Sequence, residues 1–172
     1  MESGPYDARA VANFVLDQAS LARLDIYSTS LLKILYFAHG WHLAKFSVPL
    51  IAQPFEAWEF GPVVRVVYDQ IREYSGSPIK CRLVSFNAVT MKKEVAQVDV
   101  QEDSSALIRA VTGAYGVLHP YRLSDLTHAV DSPWTSVWDA ANAGKAPGAK
   151  LSDCAIRDYF LRQNEADVLG IS

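Results

Sequence analysis

The chain has 172 residues, 50% of them hydrophobic and 20% charged, with a formal net charge of −3. That balance excludes a disordered chain, and the length suits one domain of ~100–200 residues, able to bury about 70% of the surface its unfolded form exposes. Lys and Arg are scattered, with Lys92-Lys93 and the loose set Lys80 and Arg82 as the local groups, which argues against nucleic acid as a partner because phosphate binding needs clustered cations.

The opening residues, Met1 to Tyr6, lack the basic start and apolar run of a secretory signal. The longest apolar stretch, Ile34 to Ala38, falls far short of the ~20 residues that span a membrane. A soluble, cytoplasmic protein with no membrane partner is expected. Cys81 and Cys154 form no closely spaced pair and read as structural thiols.

The first periodic segment is Ala8, Val11, Ala12, Val15, Leu16 and Ala19, one apolar helical stripe with Asp7 as its N-cap. The second helix opens after Ser28-Thr29-Ser30, any of which could cap it. It runs from Leu31 to Ala44, apolar nearly all round, and so predicts a helix buried on most faces that serves as the spine of the fold. Gly40 inside it costs ~1 kcal/mol against Ala, which points to another backbone approaching closely there. Pro49 and Pro54 bracket the next connection. The block Glu56-Ala57-Trp58-Glu59-Phe60-Gly61-Pro62 follows, and Pro62 suits the first position of a helix carrying Val63, Val67, Ile71 and Tyr74 on one face. Ser75 to Pro78 breaks that helix.

Residues 79–102 change character. Ala96, Val98 and Val100 alternate with polar residues as a half-exposed strand does, and Leu83, Val84 and Phe86 could supply the other arm of a small hairpin. Helical spacing returns with Leu107, Ala110, Val111, Ala114 and Leu118 after Asp103-Ser104 as caps, then around Leu123–His128. Ser132-Pro133 opens a further helix with Trp134, Val137 and Trp138, residues 144–148 form a loop, and Ser152-Asp153 caps a last helix with Ile156, Tyr159 and Phe160. Residues beyond Gln163 are expected to fray. The fold class is therefore mainly α: one compact domain over 1–172, its core at about 6–163, with six or seven helices around a buried central one and at most a small β-hairpin.

No nucleophile elbow, phosphate-binding glycine loop or HExxH pattern is present, and no cofactor is expected. His39 and His42 sit three apart on one helix face and could hold a metal with Glu56, Glu59, His119 or His128. The enzyme alternative is a small metal-assisted or acid–base hydrolase using His39, His42 and Glu56. Against it stands a concentration of aromatic residues beside charged ones, Trp58 and Tyr68 nearest the surface, which suits a protein interface.

Taken in order, the helix Leu32–Leu43, Pro49-Leu50, the block from Glu56 to Val63, Tyr68 on the next helix, Leu123 to His128, and Ser132-Pro133-Trp134 resemble the Panacea domain, the SocA-like antitoxin family. The resemblance runs from about Tyr6 to Phe160 and is least evident in 79–102. It implies a non-enzymatic bacterial antitoxin that neutralises a cognate toxin protein by direct binding. The family includes a protein resembling an adaptor that presents its toxin to a Clp protease, so delivery for proteolysis is a further implied role. Within the matching blocks, Lys33, Tyr36, His39, Glu56, Trp58, Tyr68, Thr127, His128 and Trp134 are the candidate partner-binding residues. Whether the partner meets these blocks or the 79–102 stretch stays open at this level.

Overall fold

The structure is a computed structural model that describes residues 4–144 and 148–163. Most of the expected 144–148 loop and the expected fraying after Gln163 lie outside the described residues. Among those described, seven α-helices and two small antiparallel hairpins confirm a mainly α fold, and no helix is long and apolar enough to cross a membrane.

Helix α1 (Ala8–Leu21) begins where the sequence places it, with the Asp7 carboxylate accepting the Arg9 backbone N–H at 2.8 Å and the expected stripe buried. Helix α2 (Ser28–Phe46) is the spine: every residue from Ser30 to Leu43 is buried. The expected serine or threonine cap is not made. The cap residue is Tyr27, without a side-chain bond, and the Ser28 hydroxyl instead donates to the Ile71 carbonyl at 2.8 Å, tying α2 to the end of the next helix.

After α2 the chain passes Leu50 and Ala52, which bracket Tyr6 through backbone bonds: the Leu50 carbonyl accepts the Tyr6 N–H and the Ala52 N–H donates to the Tyr6 carbonyl. It then forms β1 (Glu56–Trp58) and β2 (Gly61–Val63), joined by a turn at Glu59-Phe60. Pro62 therefore does not open a helix as expected. Helix α3 (Arg65–Ile71) starts three residues later and continues into a 3-10 turn, Arg72–Tyr74. The strand tolerates proline for a definite reason. Ala57, opposite Pro62, donates its N–H outward to Ala149 at 2.8 Å, so the pair is a non-hydrogen-bonded one and β1 asks Pro62 for no donor.

The 79–102 stretch contains the expected hairpin, but as β3 (Val84–Asn87) and β4 (Lys92–Val95). Ala96 to Val100 keeps its alternating burial without being a strand. Its nearest polar partner is a side chain: buried Asn13 donates to the carbonyls of Leu83 and Ala96 at 2.8 Å each and accepts the Leu83 N–H at 2.8 Å. Gln70 likewise takes both backbone groups of Val84 at 2.9 Å.

Helix α4 (Glu102–Gly116) begins at Glu102, ahead of the expected Asp103-Ser104 cap and without a side-chain cap; Glu102 and Asp103 in its first turn suit its positive end. Helix α5 (Pro120–Thr127) opens three residues earlier than expected, capped by His119 Nδ1. Helices α6 (Pro133–Gly144) and α7 (Asp153–Leu161) start at the expected serines: Ser132 Oγ accepts the Thr135 N–H and Ser152 Oγ the Ala155 N–H, each at 3.1 Å.

Helices α1, α3, α4, α5 and α7 and strand β2 enclose α2. Phe37 stacks on Tyr115 with centroids 4.1 Å apart, while Tyr36 and Trp41 meet Phe160 edge-on at 5.7 and 5.1 Å. The close approach at Gly40 comes from this ring of α7 and not from a backbone: a Cβ there would overlap Phe160 Cε2 and Cδ2. Phe160 is itself fully buried among aromatics and has nowhere to go.

Gly40→Ala should therefore lower stability by about 1–3 kcal/mol, overpacking outweighing the ~1 kcal/mol gained in helix propensity. In urea unfolding, the same glycine substitution made on a Phe160→Leu background should cost measurably less. Additive losses would show that the ring is not the obstacle.

Candidate functional site

The β1–β2 hairpin rests on α2 through one amine. The Lys33 side chain is 1% exposed, and its Nζ donates to the Pro62 carbonyl at 3.0 Å. That carbonyl faces Lys33 for the reason Pro62 fits the strand, since at a non-hydrogen-bonded position it turns away from β1. Burial pushes the Lys33 ammonium down to about 7.

Gly61 is the counterpart of this contact. It adopts φ +107°, and a Cβ on it would lie 2.5 Å from Thr127 Oγ1 and 2.8 Å from Lys33 Cε. Backbone conformation and lack of room both require glycine here. Thr127, fully buried at the end of α5, donates to the Ser124 carbonyl at 2.7 Å, and Ser124 Oγ donates to the Phe60 carbonyl at 3.1 Å. The tip of the hairpin and the last turn of α5 are thus fastened together.

Beside them His128 closes α5. Its ring stacks on Trp134 with centroids 3.9 Å apart, and Trp134 stacks on Trp138 at 5.3 Å. Burial first and the charge of nearby Lys33 second hold the His128 imidazole below its usual range, with Asp125 working against them. His128 Nε2 is buried without a hydrogen-bond partner among the described residues. Trp134 donates its Nε1–H to the Trp58 carbonyl at 2.7 Å, joining this cluster to the outer face of the hairpin.

On that outer face Trp58 is half-buried. Its Nε1–H donates to Glu56 Oε2 at 2.8 Å, Tyr68 meets it edge-on at 4.7 Å, and the Arg65 guanidinium lies 5.2 Å from its ring. Arg65 also grips both Glu56 oxygens, at 3.2 and 2.8 Å. Seven of the sequence-derived candidates therefore meet in one region: Lys33, Thr127, His128 and Trp134 beneath, and Glu56, Trp58 and Tyr68 above.

Tyr36 and His39 lie elsewhere, on the face of α2 that meets Phe55. The Tyr36 hydroxyl has no partner among the described residues, and burial raises it well above the usual phenol range. His39 Nδ1 accepts the Ile51 N–H at 3.2 Å, which leaves its proton on Nε2, 3.0 Å from Asp153 Oδ1. His42 has both nitrogens engaged too, by the Val48 carbonyl and the Ser104 hydroxyl, and burial lowers its pKa. His39, His42 and Glu56 are each held by different partners, and no group of three or more His, Cys, Asp or Glu among the described residues is placed to hold a metal. Sequence reasoning missed Arg65 and Ser124, because an arginine and a serine on short helices carry no periodic signal.

Comparison with known proteins places this region in a family. Residues 31–135 match the model described as antitoxin SocA-like, Panacea domain. The chain is 32% identical over 154 residues to the antitoxin SocA of Caulobacter vibrioides (strain NA1000 / CB15N), an alignment covering 90% of this chain and 82% of that protein. No solved structure matches. The matched span encloses all nine candidates.

The Lys33 environment has a pH signature. In the unfolded chain this amine binds its proton below 10.5, in the folded chain only below about 7. Between those values the unfolded state holds the extra proton, so stability from this group rises as the pH is raised through the window and is penalised most at and below its lower end. Lys33→Met should remove that slope. Urea unfolding at about pH 7 and about pH 9.5 should find wild type gaining on the variant at the higher pH; an unchanged difference would contradict a desolvated amine at this position.

Proposed function

This chain belongs to the SocA-like Panacea family of antitoxins, and we propose on that premise that it neutralises a cognate toxin by binding it directly. The observation that carries the reading is the family-matched span itself, which coincides with a region where the Lys33 amine, the Ser124 and Thr127 hydroxyls and the Trp134 indole are spent on internal contacts while the outer face offers aromatic edges. Such a surface suits binding more than turnover. Aromatic and arginine anchors dominate interface energies, and a standard interface of ~1,600 Å² needs few of them.

Among the residues we assign to partner binding, Glu56, Trp58, Tyr68 and His128 retain some exposure, and Phe60 at the hairpin tip is 64% exposed. Lys33, Thr127 and Trp134 are buried and shape that surface from beneath, while Tyr36 and His39 are buried on the face of α2 that meets Phe55. We take residues 1–172 as one such unit acting in the bacterial cytoplasm, with the toxin as partner and nucleic acid and membrane not required. Delivery of the bound toxin to a Clp protease is the second step of the proposal, supported by the likeness to SocA over 90% of the chain.

Co-expression with the product of the adjacent reading frame tests both steps. That product alone should arrest growth, and this chain should restore it and co-purify stoichiometrically. Failure to co-purify would end the binding reading. A toxin half-life that is short with Clp protease present and long without it supports delivery, while an equal half-life reduces the mechanism to masking.

Glu56→Gln separates binding from chemistry. It should still neutralise at equal stoichiometry, whereas neutralisation lost with binding intact would instead implicate this carboxylate in catalysis.

A further inference from the structure

Next to the candidate site, a groove of about 660 Å³ runs between the start of α2, the end of α3 with its 3-10 turn, and the start of α5. Tyr27, Tyr68 and Tyr121 line it together with Arg72 and His119, and no acidic residue does. Tyr121 is 74% exposed, and Arg72 makes no ion pair among the described residues. The first turn of α2 opens on the same space without a side-chain cap, which adds partial positive potential.

Four other surface clefts among the described residues differ in charge. One holds Lys80 against Asp25, another Arg82 against Asp17, a third Lys150 and Arg162 with Asp131 and Asp158, and a fourth Arg65 with Glu59. Each carries both signs. The Tyr68 groove carries the cation of Arg72 with no acidic residue in its lining, on a chain whose net charge is −3. It is also continuous with the family-matched region, because Tyr68 touches Trp58, and Ser124, one turn on from Tyr121, holds the carbonyl of exposed Phe60.

We propose that this groove is where the toxin docks, and that it receives an acidic segment of the toxin with at least one apolar or aromatic side chain. The inference rests on the antitoxin reading and adds to it a location and a partner chemistry. Arg72 supplies a planar donor fork for a carboxylate, and the tyrosines supply hydroxyl donors and flat apolar faces. Complementary charge of this kind accelerates association and discriminates between partners.

The test uses the purified full-length chain and the purified product of the adjacent reading frame, with Kd measured at low and high salt. Arg72→Glu and Tyr121→Ala should each weaken binding at least tenfold, and Arg72→Gln should flatten the salt dependence. Arg23→Glu makes the same charge change in a different cleft and should leave Kd within threefold. Because Arg72, Tyr121 and Arg23 are exposed, thermal unfolding should be unaffected, which separates lost contact from lost fold.

If both groove variants bind and neutralise like wild type, the groove is refuted and the antitoxin reading stands. If Arg72→Glu changes affinity for a nucleic-acid fragment and leaves toxin Kd untouched, the groove belongs to a different partner and the proposal is overturned. Wild type failing to bind the toxin at all overturns both readings together.

Discussion

From Ser30 to Leu43 no face of α2 reaches water, so every turn of that helix needs a neighbour to cover it. Five helices and a strand supply the cover, and their positions follow from what α2 presents. Large rings at Tyr36, Phe37 and Trp41 take Tyr115 from α4 and Phe160 from α7, and the missing side chain at Gly40 admits the Phe160 ring. A surface helix could bury one stripe and leave the rest of the chain loosely specified. A helix buried all round dictates where several elements must lie.

Within that enclosure sits one charged residue whose contact has consequences outside the core. A buried amine is costly unless partnered, and Lys33 has one carbonyl, that of Pro62. Keeping that bond requires the β1–β2 hairpin to lie flat against α2, which requires Gly61, and the same approach brings the hairpin tip onto α5 through Ser124 and Thr127. Trp134 then reaches the Trp58 carbonyl, and Trp58 is held in place against Tyr68 and Arg65. The rigid aromatic surface proposed to meet the toxin is in this sense the outer end of a contact that begins inside the core.

Much of this could be read from the chain, and the exceptions share a cause. Asp7, Ser132 and Ser152 cap helices where local rules put them, and the all-round apolarity of α2 announced its burial, because both signals are local. The family blocks likewise brought most of the candidate residues to one place. Pro62 misled because its helix-opening habit is local, whereas its place in a strand depends on the opposite residue, Ala57, giving its N–H to Ala149, 92 positions further along the chain. Ala96 to Val100 alternates as a strand does, yet its pairing with the other arm stops at Ala96, whose N–H reaches the Leu83 carbonyl while its own carbonyl is taken by Asn13 from α1. Gly40 was correctly marked as a close approach, but nothing within α2 could tell that the visitor was a ring of α7.

The attachment of the 79–102 stretch has a further consequence. Asn13 and Gln70 hold it by the main-chain groups of Leu83, Val84 and Ala96, and these bonds do not depend on which side chains those residues carry. Beyond them the hairpin exposes Phe86, Val89, Met91 and Val95 on both of its arms and its turn, and contributes little to the core. A mount that grips backbone leaves the mounted sequence free to drift. Substitutions and length changes between Ser85 and Val95 can accumulate at small cost to the fold, so this protrusion is where the scaffold can be re-addressed while the helices beneath it stay as they are.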